Sequence, residues 1–246
     1  MVGLYSNKYF RYKTGPFTSY YENGIMQSQI NYFEDAPTGK CYFWYENGSK
    51  KAECEFIKGK ASEPTVMKVN QYWSRIAIQR VVDGKGHFQD EDMTSFSEGE
   101  LLDGVKNGEW WGTDYKDKFK FTELYAKGKL ISGSSIDSLN QKHQYGEVYV
   151  LPKPTKGPEH FLKYVKKELK QRKDLKNNEY SEQIAISFTV SSSGKLIDFD
   201  VFRYEQSNID EALMEICKNY GDWEPAKSRG IDTESYLTIP IDTYRY

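Results

Sequence analysis

The residues able to do chemistry are few and scattered. His87, His143 and His160 sit in three separate segments, and none lies beside a Gly-x-Ser-x-Gly or comparable nucleophile setting. They read as surface histidines. Cys41, Cys54 and Cys217 lack the spacing of metal ligands. Asp90-Glu91-Asp92 concentrates carboxylates without the alternating ligands of a calcium loop, so a solvated acidic loop is expected. Asp83-Gly84-Lys85-Gly86 is a turn, because a phosphate-binding loop needs four residues between its first glycine and the Gly-Lys pair. These absences predict a protein that is not an enzyme and needs neither cofactor nor metal.

What remains is recognition. In Tyr236–Ile241, Leu237, Ile239 and Ile241 alternate with Tyr236 and Thr238, the period of a strand with one buried face. Pro240 cannot donate to a ladder and so marks a sheet edge. An edge strand can take up an extended peptide, main-chain hydrogen bonds supplying affinity and alternate side chains selectivity. Tyr236, Leu237, Thr238, Ile239 and Ile241 are therefore the expected partner-binding residues. The helix expected over Pro158–Lys176 carries an excess of basic residues, readable as an ordinary solvated face or as a contact for anionic lipid or cell-wall polymer. Lys and Arg number 34 against 36 Asp and Glu, so nucleic-acid binding gains no support. No apolar run approaches the ~18–20 residues needed to span a membrane.

The elements that position these residues change character near Glu147. Before it, Ser19-Tyr20-Tyr21-Glu22-Asn23-Gly24 recurs 24 residues later as Phe43-Trp44-Tyr45-Glu46-Asn47-Gly48. Asn-Gly between aromatic-rich runs predicts hairpins with two-residue type I′ turns. That loop sets Cys41 opposite Cys54 and, in the first copy, Phe17 opposite Ile30. The thiols are expected adjacent and unbonded, as two small residues filling one core position, although the spacing would admit a disulfide. Degenerate copies follow around Asp83-Gly84, Glu100–Gly112 and Phe119–Gly133, with Thr65–Val69 an ambiguous insertion and any helix confined to about 60–80. Tyr, Phe and Trp make up 15 % of the chain, and at this spacing they read as the core of a thin sheet or as a stacking platform.

After Glu147 the order is helix, strand, strand, helix, strand. Leu151-Pro152-Lys153-Pro154 reads as an extended linker. Gly157-Pro158 opens a helix whose buried stripe is Phe161, Leu162, Val165 and Leu169, with Lys163, Lys166, Lys167 and Lys170 outward. Ile184–Val190 and Leu196–Arg203 form a hairpin across Ser193-Gly194. Asn208 caps a second helix with Ala212, Leu213, Ile216 and Cys217 inward.

Two resemblances rest on these residues. The Tyr-Glu-Asn-Gly units and Lys106-Asn-Gly-Glu-Trp110 resemble the MORN-type repeats of YwqK-like proteins, some of them labelled antitoxins, across about residues 9–135. The resemblance implies a scaffold or interaction surface. Ile186-Ser-Phe-Thr-Val190, Ser193-Gly-Lys-Leu-Ile197, Asp210-Glu-Ala-Leu213, Trp223-Glu-Pro-Ala-Lys227 and Tyr236-Leu-Thr-Ile-Pro-Ile241 resemble the TonB carboxy-terminal domain. The chain departs from that family where Lys170-Gln-Arg-Lys-Asp174 replaces a Tyr-Pro.

The expected fold is an all-β hairpin repeat array over 1–147, followed by a small α+β domain over 148–246 with a three-stranded antiparallel sheet and two helices. The second resemblance implies a periplasmic or cell-envelope protein binding a protein or extended peptide, such as an outer-membrane receptor segment, at the closing strand. Met1-Val-Gly-Leu-Tyr5 lacks the basic start and apolar core of a signal peptide, so membrane contact is expected only through an upstream anchor or a partner. The alternative is an antitoxin-like or assembly-scaffold protein that works through the repeat surface.

Overall fold

The computed structural model describes residues 2–5, 12–59, 64–172, 183–202 and 209–242. The chain divides into two compact units, Met1–Lys142 and His143–Tyr246. Asn208, Arg203 and residues 173–176 of the expected first helix lie outside the described residues.

The first unit contributes twelve strands: β1 (Val2–Tyr5), β2 (Lys13–Tyr20), β3 (Met26–Phe33), β4 (Ala36–Trp44), β5 (Lys50–Ile57), β6 (Val66–Trp73), β7 (Gln79–Val82), β8 (Lys85–Glu91), β9 (Ser95–Leu102), β10 (Val105–Asp114), β11 (Phe119–Ala126) and β12 (Lys129–Ile136). They are hydrogen-bonded in chain order into a single antiparallel sheet, so the expected hairpin array is present. Residues 64–80 carry β6, a turn and the start of β7, and no helix occurs in them. The ambiguous insertion Thr65–Val69 opens β6.

The Asn-Gly turns are not of the expected class. In both copies they are three-residue loops. The Tyr45 N–H donates to the Ser49 carbonyl at 2.8 Å, and the Gly48 N–H donates to the Tyr45 carbonyl at 2.8 Å. Tyr21, Ile25 and Gly24 repeat the pattern. Only the glycine turns left-handed, at φ 82° and 83° for Gly24 and Gly48. The reason lies in the asparagine, whose Oδ1 accepts the N–H two residues on (Ile25 at 3.0 Å, Ser49 at 2.9 Å) and holds its own backbone out of the left-handed region. Two-residue turns with both central φ positive do occur, at Glu34-Asp35, Asp83-Gly84, Asp103-Gly104 and Lys127-Gly128.

The longer loop would shift the register by one residue, and a bulge restores it. Trp44 pairs with Lys50 but Phe43 pairs with Ala52, leaving Lys51 as the extra residue. Cys41 therefore lies opposite Cys54, and Phe17 opposite Ile30 with the same irregularity after Ser19. Motif side chains then bond each hairpin to the next. The Tyr21 hydroxyl donates to the Trp44 carbonyl at 2.8 Å and the Tyr45 hydroxyl to the Trp73 carbonyl at 2.9 Å, while Asn23 Nδ2 donates to the Glu46 carbonyl at 3.1 Å.

A buried row including Cys41, Ala52, Cys54, Val69, Tyr72, Val81, Leu101, Trp110 and Tyr125 forms the core of this unit. A second tie links the middle of β6 to the β7–β8 and β9–β10 turns. The Gly84 N–H donates to the Asn70 carbonyl (2.8 Å), the Gly104 N–H to the Gly84 carbonyl (2.9 Å), and the Val69 N–H to the Gly104 carbonyl (2.9 Å). A Cβ on Gly84 would stand 2.6 Å from the Gly104 nitrogen, so the stacking requires a glycine there.

β13 (Lys142–Tyr145) straddles the division, and the second unit holds β14 (Tyr149–Val150), β15 (Lys153–Pro154), α1 (Pro158–Gln171), β16 (Gln183–Val190), β17 (Leu196–Phe202), α2 (Ile209–Lys218), β18 (Trp223–Glu224), β19 (Ala226–Ser228), β20 (Ile231–Thr233) and β21 (Ser235–Asp242). A three-stranded sheet in the order β17-β16-β21 packs through Ile184, Ile186, Phe188, Val190 and Ile241 against Phe161 and Val165 of α1 and Ala212, Leu213, Ile216 and Cys217 of α2. Gly157 takes the N-cap position with φ 88°, and Pro158 follows it.

The expected linker is part of this fold. β15, within the segment read as a spacer, pairs with β18 at Trp223 and Glu224, and β14 just before it pairs with β19. Pro152 and Pro154 are buried. Two prolines in four residues suggest an extended chain, which is also the conformation of a very short strand, and the pairing partners lie some seventy residues further on.

Candidate functional site

β21 pairs with β16 over eight consecutive residues, Gln183↔Asp242 to Val190↔Ser235. Its other side has no paired strand among the described residues. Pro240 stands opposite Ala185 within this unbroken ladder. Because proline has no N–H to give, its nitrogen faces away from β16. Backbone direction alternates along a strand, so the N–H and C=O of Thr238 and Tyr236 share that outward orientation. Main-chain donors and acceptors are thus available along the free edge.

The side chains divide by face. Ile241 is buried, and Leu237 and Ile239 pack in part against the core. Tyr236 is 58 % exposed and Thr238 is exposed, its hydroxyl 2.7 Å from that of Ser187. Of the five residues singled out, Leu237, Ile239 and Ile241 hold the strand on its core, and Tyr236 and Thr238 are those a partner could touch. Near the start of β21 the Tyr149 hydroxyl lies 2.9 Å from the Ser235 hydroxyl.

The other candidate groups stay apart. His87 lies between Glu98 (3.3 Å) and Glu100 (3.2 Å), and His160 Nδ1 is 2.9 Å from the Tyr220 hydroxyl. Glu91 ends β8, and Asp92 caps the following turn by accepting from Thr94 and Ser95. Those hydrogen bonds, the Thr94 hydroxyl foremost, hold the Asp92 carboxyl below its ordinary range. The Cys54 thiol hydrogen-bonds the Cys41 sulfur, which lowers the pKa of Cys41 and raises that of Cys54. All three cysteines are free thiols. Among the described residues no group of three or more His, Cys, Asp or Glu side chains could hold a metal ion, and no helix is long and apolar enough to cross a membrane.

In comparisons with known proteins, the family profile of the MORN repeat variant matches residues 13–34 and 37–58, the β2–β3 and β4–β5 hairpins. No curated protein and no solved structure matches the chain. The first unit thus carries MORN-variant repeats in its opening hairpins.

Sequence reasoning missed two turns with the same hydrogen bonds. Ser74, Ala77 and Ile78 reproduce them (Ser74 N–H to the Ile78 carbonyl at 2.9 Å, Ala77 N–H to the Ser74 carbonyl at 2.8 Å), as do Asp137, Asn140 and Gln141, with Ala77 at φ 59° and Asn140 at φ 61° where Gly24 and Gly48 stand in the motif copies. An alanine in that conformation leaves no turn signal.

Proposed function

We propose that this is a non-enzymatic interaction protein that captures an extended peptide by adding it to β21, with the hairpin array as its scaffold. One observation carries the reading: an eight-residue edge strand whose outward main-chain groups at Tyr236 and Thr238 are open. The likeness of the second unit to the TonB carboxy-terminal domain belongs to this proposal, as does a cell-envelope setting with an outer-membrane receptor segment as partner. In its support stand the order α1, β16, β17, α2, β21 and the Trp223–Lys227 block leading into the closing strand.

The test uses the full chain and peptides selected on it from a displayed random library. Thr238→Pro removes an outward N–H and also the hydroxyl contact to Ser187, so Thr238→Val serves as the control that loses only the hydroxyl. The proline variant should lose the peptide while the valine variant keeps it, both retaining the native circular dichroism. Unchanged affinity in a folded proline variant overturns edge pairing.

The MORN-variant match favours a second reading, an antitoxin-like or assembly-scaffold protein working through the array. On that reading capture survives Thr238→Pro and falls when Trp111, half-exposed beside Phe96, is replaced by Ala.

A further inference from the structure

A cleft of about 240 Å³ opens in the first unit among the β4–β5, β6–β7 and β8–β9 hairpins. Its aromatic lining is Tyr45, Tyr72 and Phe96, and its cationic lining is Lys51, Arg75 and Arg80. Repeat geometry builds it. Tyr45 is fixed by its hydrogen bond to the Trp73 carbonyl, and its ring is flanked by the Arg75 guanidinium at 5.5 Å and the Lys51 ammonium at 5.9 Å. Lys51 is the bulge residue of its hairpin, and Arg75 sits in the Ser74–Ile78 turn.

Charge decides what the cleft would take. Lys51 has Asp90 at 3.9 Å and Arg75 has Glu91 at 3.8 Å. Among the described residues Arg80 has neither an ion-pair partner nor a side-chain hydrogen bond. The surplus is one positive charge, presented as a planar fork of donors suited to bidentate contact with an anion. A phosphate monoester brings ~1.5–2 negative charges and would overfill this balance beside Glu91. A carboxylate brings one. The volume falls below the ~300 Å³ at which pockets for drug-sized ligands begin, which suits a single residue or a small acid. The aromatic walls, with Ile76 exposed at the rim, suit an apolar stem.

We infer that this cleft is a binding site for a carboxylate borne on an apolar stem, with Arg80 pairing the carboxylate and Tyr45 and Phe96 receiving the stem. The source is either a free small acid or the carboxy-terminal residue of a peptide. This site goes beyond peptide capture on β21 and is independent of it, since β21 belongs to the other unit.

The experiment is a titration of the full chain, followed by amide and arginine side-chain NMR shifts at constant ionic strength. The probes are phenylacetate, phenylacetamide, inorganic phosphate, and acetyl-Gly-Phe as the free acid and as the amide. Phenylacetate should give saturable shifts at Arg80, Tyr45 and Phe96, and the neutral phenylacetamide should give none. Arg80→Gln, an exposed substitution, should weaken the acid by about tenfold or more while leaving the spectrum native, the scale expected for a charge-assisted bidentate pair. If acetyl-Gly-Phe acid binds more tightly than phenylacetate and its amide does not bind, the site takes a chain end; if phenylacetate binds as tightly or more tightly, it takes a free acid. Equal binding of acid and amide, tighter binding of phosphate, unchanged affinity in Arg80→Gln, or no saturable shift overturns the proposal. The Thr238→Pro variant should behave as wild type throughout, which separates this outcome from the fate of the edge-strand reading.

Discussion

The indole of Trp110 lies flat on the backbone of Gly99, its partner across the β9–β10 ladder. A Cβ on Gly99 would stand 2.5 Å from the ring. Phe88 flanks the same glycine from β8. At Gly112, on the next strand pair, a Cβ would clash with both the Phe96 carbonyl and the Phe121 ring. Each missing side chain makes room for an aromatic one, so the sheet draws part of its packing from its own strands. The Trp110 N–H meanwhile donates to the Glu100 carbonyl at 3.0 Å, so the ring is both packed and satisfied.

Gly99→Ala should therefore destabilise the first unit by about 2–3 kcal/mol through overpacking. Gly108→Ala is the comparison, since its Cβ would meet nothing within 4 Å and only its φ of 77° is strained. That variant should cost about 1 kcal/mol. Urea midpoints at constant slope measure both, and equal losses would place the effect in the backbone rather than under Trp110.

Tyr45→Phe should cost about 1–2 kcal/mol, because it leaves the Trp73 carbonyl without its donor in a part-buried position. Tyr21→Phe removes the equivalent bond to Trp44 where the ring is less covered, so a smaller loss is expected. Thermal melts of the two variants should rank in that order.

The thiols should be present and silent. Cys41, Cys54 and Cys217 are at most 3 % exposed. Burial pushes the Cys217 thiol up to about 12, and the Cys54 thiol is raised by its bond to Cys41 and by burial. Iodoacetamide should label none of them in the native protein and all three in urea, as read by mass without reductant. Two mass units missing from the native chain would mean that Cys41 and Cys54 are bridged.

A fragment beginning at Gly157 should be less stable than one beginning at His143. The shorter piece lacks β14 and β15 and the hydrogen bond from the Arg229 N–H to the Val148 carbonyl (2.7 Å). Its melting temperature should fall by several degrees. Equal stability would restore residues 151–156 to the status of a spacer.

How much of this was legible follows from how local each feature is. Asn47-Gly48 and the alternation around it announce a hairpin, and Cys41 does pair with Cys54, through two departures that offset one another. A loop one residue longer than expected and a bulge at Lys51 cancel. Neither is visible in the letters, because the Asn47 side chain sets the first and sheet twist favours the second. The α1 stripe of Phe161 and Val165 was plain from its period. The pairings β14–β19 and β15–β18 were not, since two-residue strands carry no period and partners so distant carry no local signal. The cleft at Arg80 was hidden for the same reason: three separate hairpins supply its walls.

The ring of hydrogen bonds among Asn70, Gly84, Gly104 and Val69 has a consequence for ancestry. A lineage can lengthen or shorten an array of hairpins by copying a unit, as the 24-residue echo of Ser19–Gly24 in Phe43–Gly48 suggests. Between β6 and β10 that freedom is gone. Inserting or deleting a hairpin there would part the middle of β6 from two turns that hold it and one another, and every one of them would need a new neighbour at once. Growth before β6 would leave this ring intact, and the segment from β6 to β10 should change in descendants only by substitution.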